Sequence, residues 1–192
     1  MANTTAGLKD SGDSGISDAL SYIGTFSLDW TPLSEPLDSA ILDRYNEDNL
    51  RVLAAVALLD EQRTANNSND DVGAWDGEIA RLHQKMNLLV DLLAFLVSQQ
   101  VAAAPVRVAR LSWRGVAWRD DAAITGDGLI SLRLHRSVPQ PFTWPAHAMP
   151  ANGGQHCACF APLSEACQAA LERHIFLHHR RAIAGQRKPA HN

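Results

Sequence analysis

Cysteine is scarce in this chain: Cys157, Cys159 and Cys167 are its only three, an odd number that offers no paired disulfide framework and fits a reducing compartment. No basic segment followed by an apolar stretch opens the sequence. The apolar run around Leu88 to Val97 is too short and too interrupted to span a bilayer. No large positive charge is present either, since the net charge is -4, and binding to a nucleic-acid polymer is therefore not expected. Gly-rich phosphate loops, nucleophile elbows and metalloprotease helices are all missing. Asp70-Asp71 and Asp120-Asp121 fall in apparent loops, and their spacing points to no partner. These absences leave a non-enzymatic, cytoplasmic protein without a membrane segment as the expectation.

What the chain has is spacing. Trp75, Ile79, Leu82, Met86, Leu89, Leu93 and Leu96 recur at alternating intervals of four and three, the seam of a coiled coil. Leu42, Tyr45, Val52, Val56 and Leu59 keep the same alternation if Asn49 fills the intervening core place. An isolated helix cannot cover such a seam, so the chain is expected to self-associate. Val90, Leu92 and Val97 widen the second seam where a two-stranded coil carries charges. Three or more helices are therefore expected to meet, most simply in a homotetramer. Asn49 at a core place would help set register and strand number, or else it turns to solvent. The alternative to assembly is an intramolecular hairpin whose second helix packs on its own domain.

The chain divides into four regions. Residues 1–33 read as a largely disordered tail: the first 18 are rich in Ser, Gly, Thr and Asp, and Tyr22, Ile23, Phe26, Leu28 and Trp30 are anchors that could dock without a clear period. Residues 34–103 read as the helical oligomerisation region. Its first helix starts at Ser34, with Pro36 and Asp38 in the opening turn, and runs to about residue 64. The Asn/Asp/Ser stretch from Asn66 to Asp71 with Gly73 breaks it, and a second helix spans about 74–101, each some 40 Å long. Pro105 ends the helical part.

From residue 104 to 185 the period becomes two. Val106, Val108, Arg110 and Ser112 share one face of a strand, with Arg107, Ala109 and Leu111 on the other. Gly115 then bends the chain into Val116–Trp118. A further strand covers Leu129 to His135, prolines 139, 141, 145 and 150 punctuate the next stretch, and Cys157 to Phe160 is the last strand. Short strands with frequent turns predict a small antiparallel barrel. A closing helix capped by Ser164 carries Leu163, Cys167, Leu171, His174 and His178 as a stripe and ends at Gly185, leaving 186–192 as a tail. The fold class is α+β: a small antiparallel barrel with a C-terminal helix, preceded by two long heptad-repeat helices.

Leu111-Ser112-Trp113-Arg114-Gly115, then Trp118, then Gly128-Leu129-Ile130-Ser131-Leu132, and finally Phe160-Ala161-Pro162-Leu163-Ser164 leading to Leu171-Glu172-Arg173-His174-Ile175, resemble the successive landmarks of a PilZ domain over about residues 105–182. The long helices ahead of the barrel resemble the atypical PilZ proteins, a bacterial group described as cyclic di-GMP receptors. The resemblance implies a ligand site at Arg107, Arg110, Ser112, Arg114 and Gly115, a place in motility or virulence signalling, and other signalling proteins as partners.

The same residues depart from the family pattern. Ligand-binding PilZ domains carry Arg-x-x-x-Arg before the barrel and Asp/Asn-x-Ser-x-x-Gly on it. Here Ser112 and Gly115 match the second motif, but its first place is Arg110, a cation where an acceptor belongs. Arg107 and Arg110 are one residue too close for the first motif and lie inside the first strand. An adaptor acting by protein contacts is therefore the expectation, with no bound cofactor; a receptor holding cyclic di-GMP through a non-standard arginine site is the alternative.

His156, Cys157, Cys159, His174 and His178 offer zinc-type donors at spacings that suit no known structural site. Both thiols are expected to point into the barrel and both helical histidines into the buried stripe, so packing accounts for them and no metal is expected.

Overall fold

A computed structural model describes residues 20–66, 81–86, 88–90, 92–93, 96, 104–120, 123–152 and 154–186. Six strands close an antiparallel barrel: β1 (Ser21–Pro32), β2 (Val106–Ser112), β3 (Gly115–Arg119), β4 (Asp127–Arg133), β5 (Phe142–Asn152) and β6 (Gln155–Phe160). Their order around the barrel is β1-β2-β3-β6-β5-β4. Two helices pack on it, α1 (Ser39–Asn66) and the C-terminal α2 (Glu165–Gln186).

The first strand corrects the expected tail. Residues 21–32 form β1, which closes the barrel by pairing Ser21 with Ser112 on one side and Leu28 with Leu132 on the other. The barrel is thus not confined to 104–185, and the helical region is an insertion between its first two strands. The physical reason is an alternation in which Tyr22, Phe26 and Leu28 are buried while Ile23, Thr25 and Asp29 are exposed. Residues 1–19 of the expected tail and 187–192 lie outside the described residues.

β5 is the second strand that sequence reasoning missed. Phe142, Trp144, Ala146 and Ala148 point inward with more exposed residues between them. Pro150 is tolerated because it falls where the β5–β6 register shifts between Met149 and Asn152.

The core is built where inward-facing side chains of the strands meet α2. Leu28, Leu111, Trp118, Ile130, Leu132, Phe142, Trp144, Leu171 and Ile175 are all buried. Each such side chain contributes about 2 kcal/mol relative to exposure. Ser164 starts α2 as expected: its Oγ accepts from Cys167 N at 3.2 Å and its carbonyl from Gln168 N at 2.9 Å. At α1 the cap is Asp38 rather than Ser34, since the Asp38 carbonyl receives Ile41 N and Leu42 N.

The row Leu42, Tyr45, Asn49, Val52, Val56 and Leu59 does not wait for a second copy. Leu42 and Tyr45 pack on the barrel core, and Val52 and Val56 are buried with Val138, with Leu59 against them. Asn49 is buried too, neither a register device nor a solvent-facing residue. Its Nδ2 donates to Thr143 O at 2.8 Å and its Oδ1 accepts Thr143 N at 2.9 Å. β6 pairs with β5 only from Ala146 onward, so Asn49 serves the backbone of β5 where β6 has ended.

The second row behaves differently. Residues 81–86, 88–90, 92–93 and 96 are helical, and Leu82, Met86, Leu89, Leu93 and Leu96 are all exposed, as are Leu88, Val90 and Leu92. Trp75 and Ile79 lie outside the described residues.

Candidate functional site

The residues singled out for ligand binding sit on the β2–β3 hairpin. Ser112 pairs with Gly115, leaving Trp113 and Arg114 at the turn. Ser112 Oγ accepts from Arg114 N and donates to Gly115 O, both at 3.2 Å, so the buried serine hydroxyl folds the turn. Gly115 is demanded by close approach: a Cβ there would stand 2.1 Å from Ala158 O of the paired strand β6. Phe160 N donates to Arg114 O at 2.8 Å and ties the end of β6 to the same turn.

The arginines are not brought together. Arg107 shares the inward register of Ala109 and Leu111 at the far end of β2, where Nη1 donates to Leu28 O at 2.8 Å and Nη2 pairs with Asp120. Asp120, for which sequence spacing points to no partner, is thereby placed in an ion pair; Asp121, like Asp70 and Asp71, lies outside the described residues. Arg110 stands on the opposite, outer register of the strand and is half-buried. Arg114 lies 4.9 Å over the Trp113 ring, a cation–π arrangement at the turn. Of the five predicted residues the fold gathers Ser112, Arg114 and Gly115, leaves Arg110 two residues away along β2, and fixes Arg107 elsewhere.

A cleft of about 490 Å³ opens beside this turn, between Trp113 and Arg114 on one side and Phe160, Pro162, Leu163 and Gln168 on the other. A guanidinium next to an indole at the rim of an apolar cleft can pair an anionic group and stack a planar one. On the other side of Phe160 a second cleft, of about 400 Å³, is lined by Leu33, Pro36, Leu42, Asp127 and His147. There His147 Nδ1 meets Asp127 Oδ1 at 2.8 Å.

The five metal-type donors do not form one group: His174 and His178 lie together on α2, apart from the three on β6. His156 and Ala158 are the inward positions of β6, so Cys157 and Cys159 face outward and half-buried, the reverse of the expected thiol direction. His156 Nε2 bonds Asp120 O at 2.9 Å. Cys167 is buried in the core, and burial pushes its thiol up to about 11. His174 and His178 do lie on the inner side of α2, as the stripe predicted. Burial first, then the neighbouring His178 charge, pushes His174 down to about 4. Tyr22 of β1, packed against both histidines, is pushed up by burial and by the negative charge of Asp60.

No curated protein matches the chain. A family model described as the atypical PilZ domain, cyclic di-GMP receptor, matches residues 50–188. Among solved structures, the chain is similar to a pathogenic protein from Xanthomonas campestris, described as a new tetrameric PilZ domain self-assembled via an unusual helical bundle. The two are 24% identical with a TM-score of 0.65, over 90% of this chain and 95% of that one.

Proposed function

Because the chain belongs to the atypical PilZ family, we propose that it is a non-enzymatic adaptor of cyclic di-GMP-type signalling, in motility or virulence, that works through protein contacts. One observation carries this reading: Arg107, half of the arginine pair a nucleotide clamp needs, is tied to Leu28 O and Asp120 at the end of β2 away from the hairpin turn. The first place of the barrel motif holds Arg110, which cannot accept from a guanine edge. The motif is degenerate on this reading, and Ser112 and Gly115 are retained for the fold of the turn.

Self-association belongs to the same proposal. The exposed apolar row from Leu82 to Leu96 calls for a cover, and the Xanthomonas campestris relative is described as self-assembling through a helical bundle into a tetramer. We assign that role in this chain to the middle helical segment, whose exposed row from Leu82 to Leu96 is extended in the sequence by Trp75 and Ile79 at the same spacing. No helix among the described residues is long and apolar enough to cross a membrane. The apolar row is better matched to another helix than to lipid, and a cytoplasmic setting fits three cysteines outside any disulfide.

A second reading is favoured by the Trp113–Arg114 cleft, which offers a stacking surface and a cation for a nucleotide. Calorimetric titration of the full chain with cyclic di-GMP separates the two. No heat at micromolar nucleotide supports the adaptor. Saturable micromolar binding that Arg114→Ala abolishes overturns it in favour of a receptor. Light scattering is expected to give four times the chain mass, and a monomer at micromolar protein refutes the assembly.

A further inference from the structure

At the contact between the end of α1 and the middle of α2, three metal-type donors converge from distant parts of the chain. His174 and His178 are one turn apart on α2 and so share a face. Asp60 of α1 points at them, buried to all but 3% of its side chain. One donor atom from each of the three lies within 4.8 Å of the others, the only such trio among the described residues. His178 Nε2 and Asp60 Oδ2 are 3.2 Å apart. Two donors about 2.0–2.1 Å from one tetrahedral zinc stand about 3.3 Å apart, so this pair already has the span of two ligands.

We propose that Asp60, His174 and His178 form a binding site for a single zinc-class divalent cation, which fastens α1 to the C-terminal helix.

The surroundings have the parts such a site requires. Ligating imidazoles and carboxylates are held by hydrogen bonds on their remaining atoms. Tyr22 Oη lies 2.9 Å from His174 Nε2, and Arg181 Nη1 donates to Asp60 Oδ1 at 2.6 Å, which leaves Oδ2 turned to the histidines. A cleft of about 380 Å³ between α1 and α2, walled by Leu53, Ala57, Ala170 and Leu177, reaches Asp60 and His174 and supplies a route for the ion and room for a water ligand.

Arg181 opposes the site, because its positive charge meets the same carboxylate. Its side chain is 42% exposed, so water screens much of that charge. The proposal therefore carries a signed consequence: Arg181→Gln tightens the cation. Arg173, the other cation at the cleft, pairs with Glu61 at 3.1 Å on the surface.

The test is a titration of the chelator-treated full chain with Co²⁺ and Zn²⁺, read by cobalt ligand-field absorption and by thermal melting. The expected result is one equivalent bound with a tetrahedral nitrogen/oxygen spectrum, and a melting temperature raised by about 5–10 °C at a hundredfold excess over Kd. His178→Gln is expected to weaken binding at least tenfold and Arg181→Gln to strengthen it. If His178→Gln does not fold, the wild-type spectrum still decides. A thiolate charge-transfer band assigns the ion to the outward cysteines and overturns the proposal. Binding unchanged in His178→Gln, or absence of any equivalent bound below millimolar metal, overturns it as well.

Discussion

Asn49 is the residue at which two physical accounts of α1 predict opposite signs. In a coiled-coil seam, a core Asn costs stability and fixes strand number, so Asn49→Leu would stabilise the assembly and shift its mass. In the observed fold, the Asn49 amide is a two-pronged partner for the Thr143 backbone, with contacts of 2.8 and 2.9 Å in a buried position. Leucine removes two hydrogen bonds worth about 1 kcal/mol each and strands a buried N–H and C=O, each costing about 1–3 kcal/mol. Burial of the leucine side chain returns about 2 kcal/mol. The net loss is about 2–6 kcal/mol, equivalent to a melting temperature lower by roughly 4–24 °C for a chain of this size. Melting and light scattering at one fixed protein concentration measure both quantities. A lower melting temperature with unchanged mass is expected. A higher one, or a new oligomer number, would refute the intramolecular role of α1.

Particular contacts lead to three further outcomes. Arg107→Ala removes a guanidinium from Leu28 O and Asp120, whose pairing is mostly buried, and should cost about 1–3 kcal/mol in urea denaturation while leaving the cyclic di-GMP titration as it was; a change in that titration at unaltered stability would give Arg107 back to the ligand site. Leu89→Glu puts a charge on the exposed apolar row and should lower the mass seen by light scattering without lowering the urea midpoint of the barrel; a tetramer of unchanged stability would remove the row from the interface. The Cys167 thiol, fully buried and raised to about 11, should resist a thiol reagent at pH 8 until the chain unfolds, whereas Cys157 and Cys159 react in the native state; three thiols titrating together without denaturant would contradict the packing of α2.

Much of the barrel was legible because its strands announce themselves locally. The alternation from Val106 to Ser112, the bend at Gly115 and the inward row Ile130–Leu132 all matched, as did the Ser164 cap. β1 was hidden because Gly24 interrupts the apolar alternation between Tyr22 and Phe26, and the strand's partners lie far along the chain. β5 was hidden by Pro145 and Pro150, although Phe142, Trp144, Ala146 and Ala148 keep a period of two. The row on α1 illustrates a degeneracy rather than a gap: a helix lying on a barrel and a helix in a coiled coil bury the same three-four spacing. The turn formed by Ser112 and Gly115 could be read directly, whereas the partners that fix Arg107 could not. Asp60 was likewise invisible beside His178, 118 residues away.

With α1 covered by its own barrel, each copy offers one exposed apolar helical row among the described residues, so a tetramer of the proposed kind draws four helices together rather than eight. The return from that segment is anchored: Ser27 Oγ donates to Ala104 O at 2.9 Å and Leu28 N to Pro105 O at 3.0 Å, fixing the start of β2 against β1. The hairpin turn with Trp113 and Arg114 lies at the other end of β2. Six residue steps of strand separate Val106 from Ser112, about 20 Å. A partner or nucleotide engaging the turn therefore meets a surface remote from where the chain enters the bundle. Influence of one on the other can pass along β2, along β1 paired beside it, or through α2, which contacts β1, β2 and α1. In such an assembly the bundle sets how many turns are presented together, and the turn's own chemistry sets what they hold.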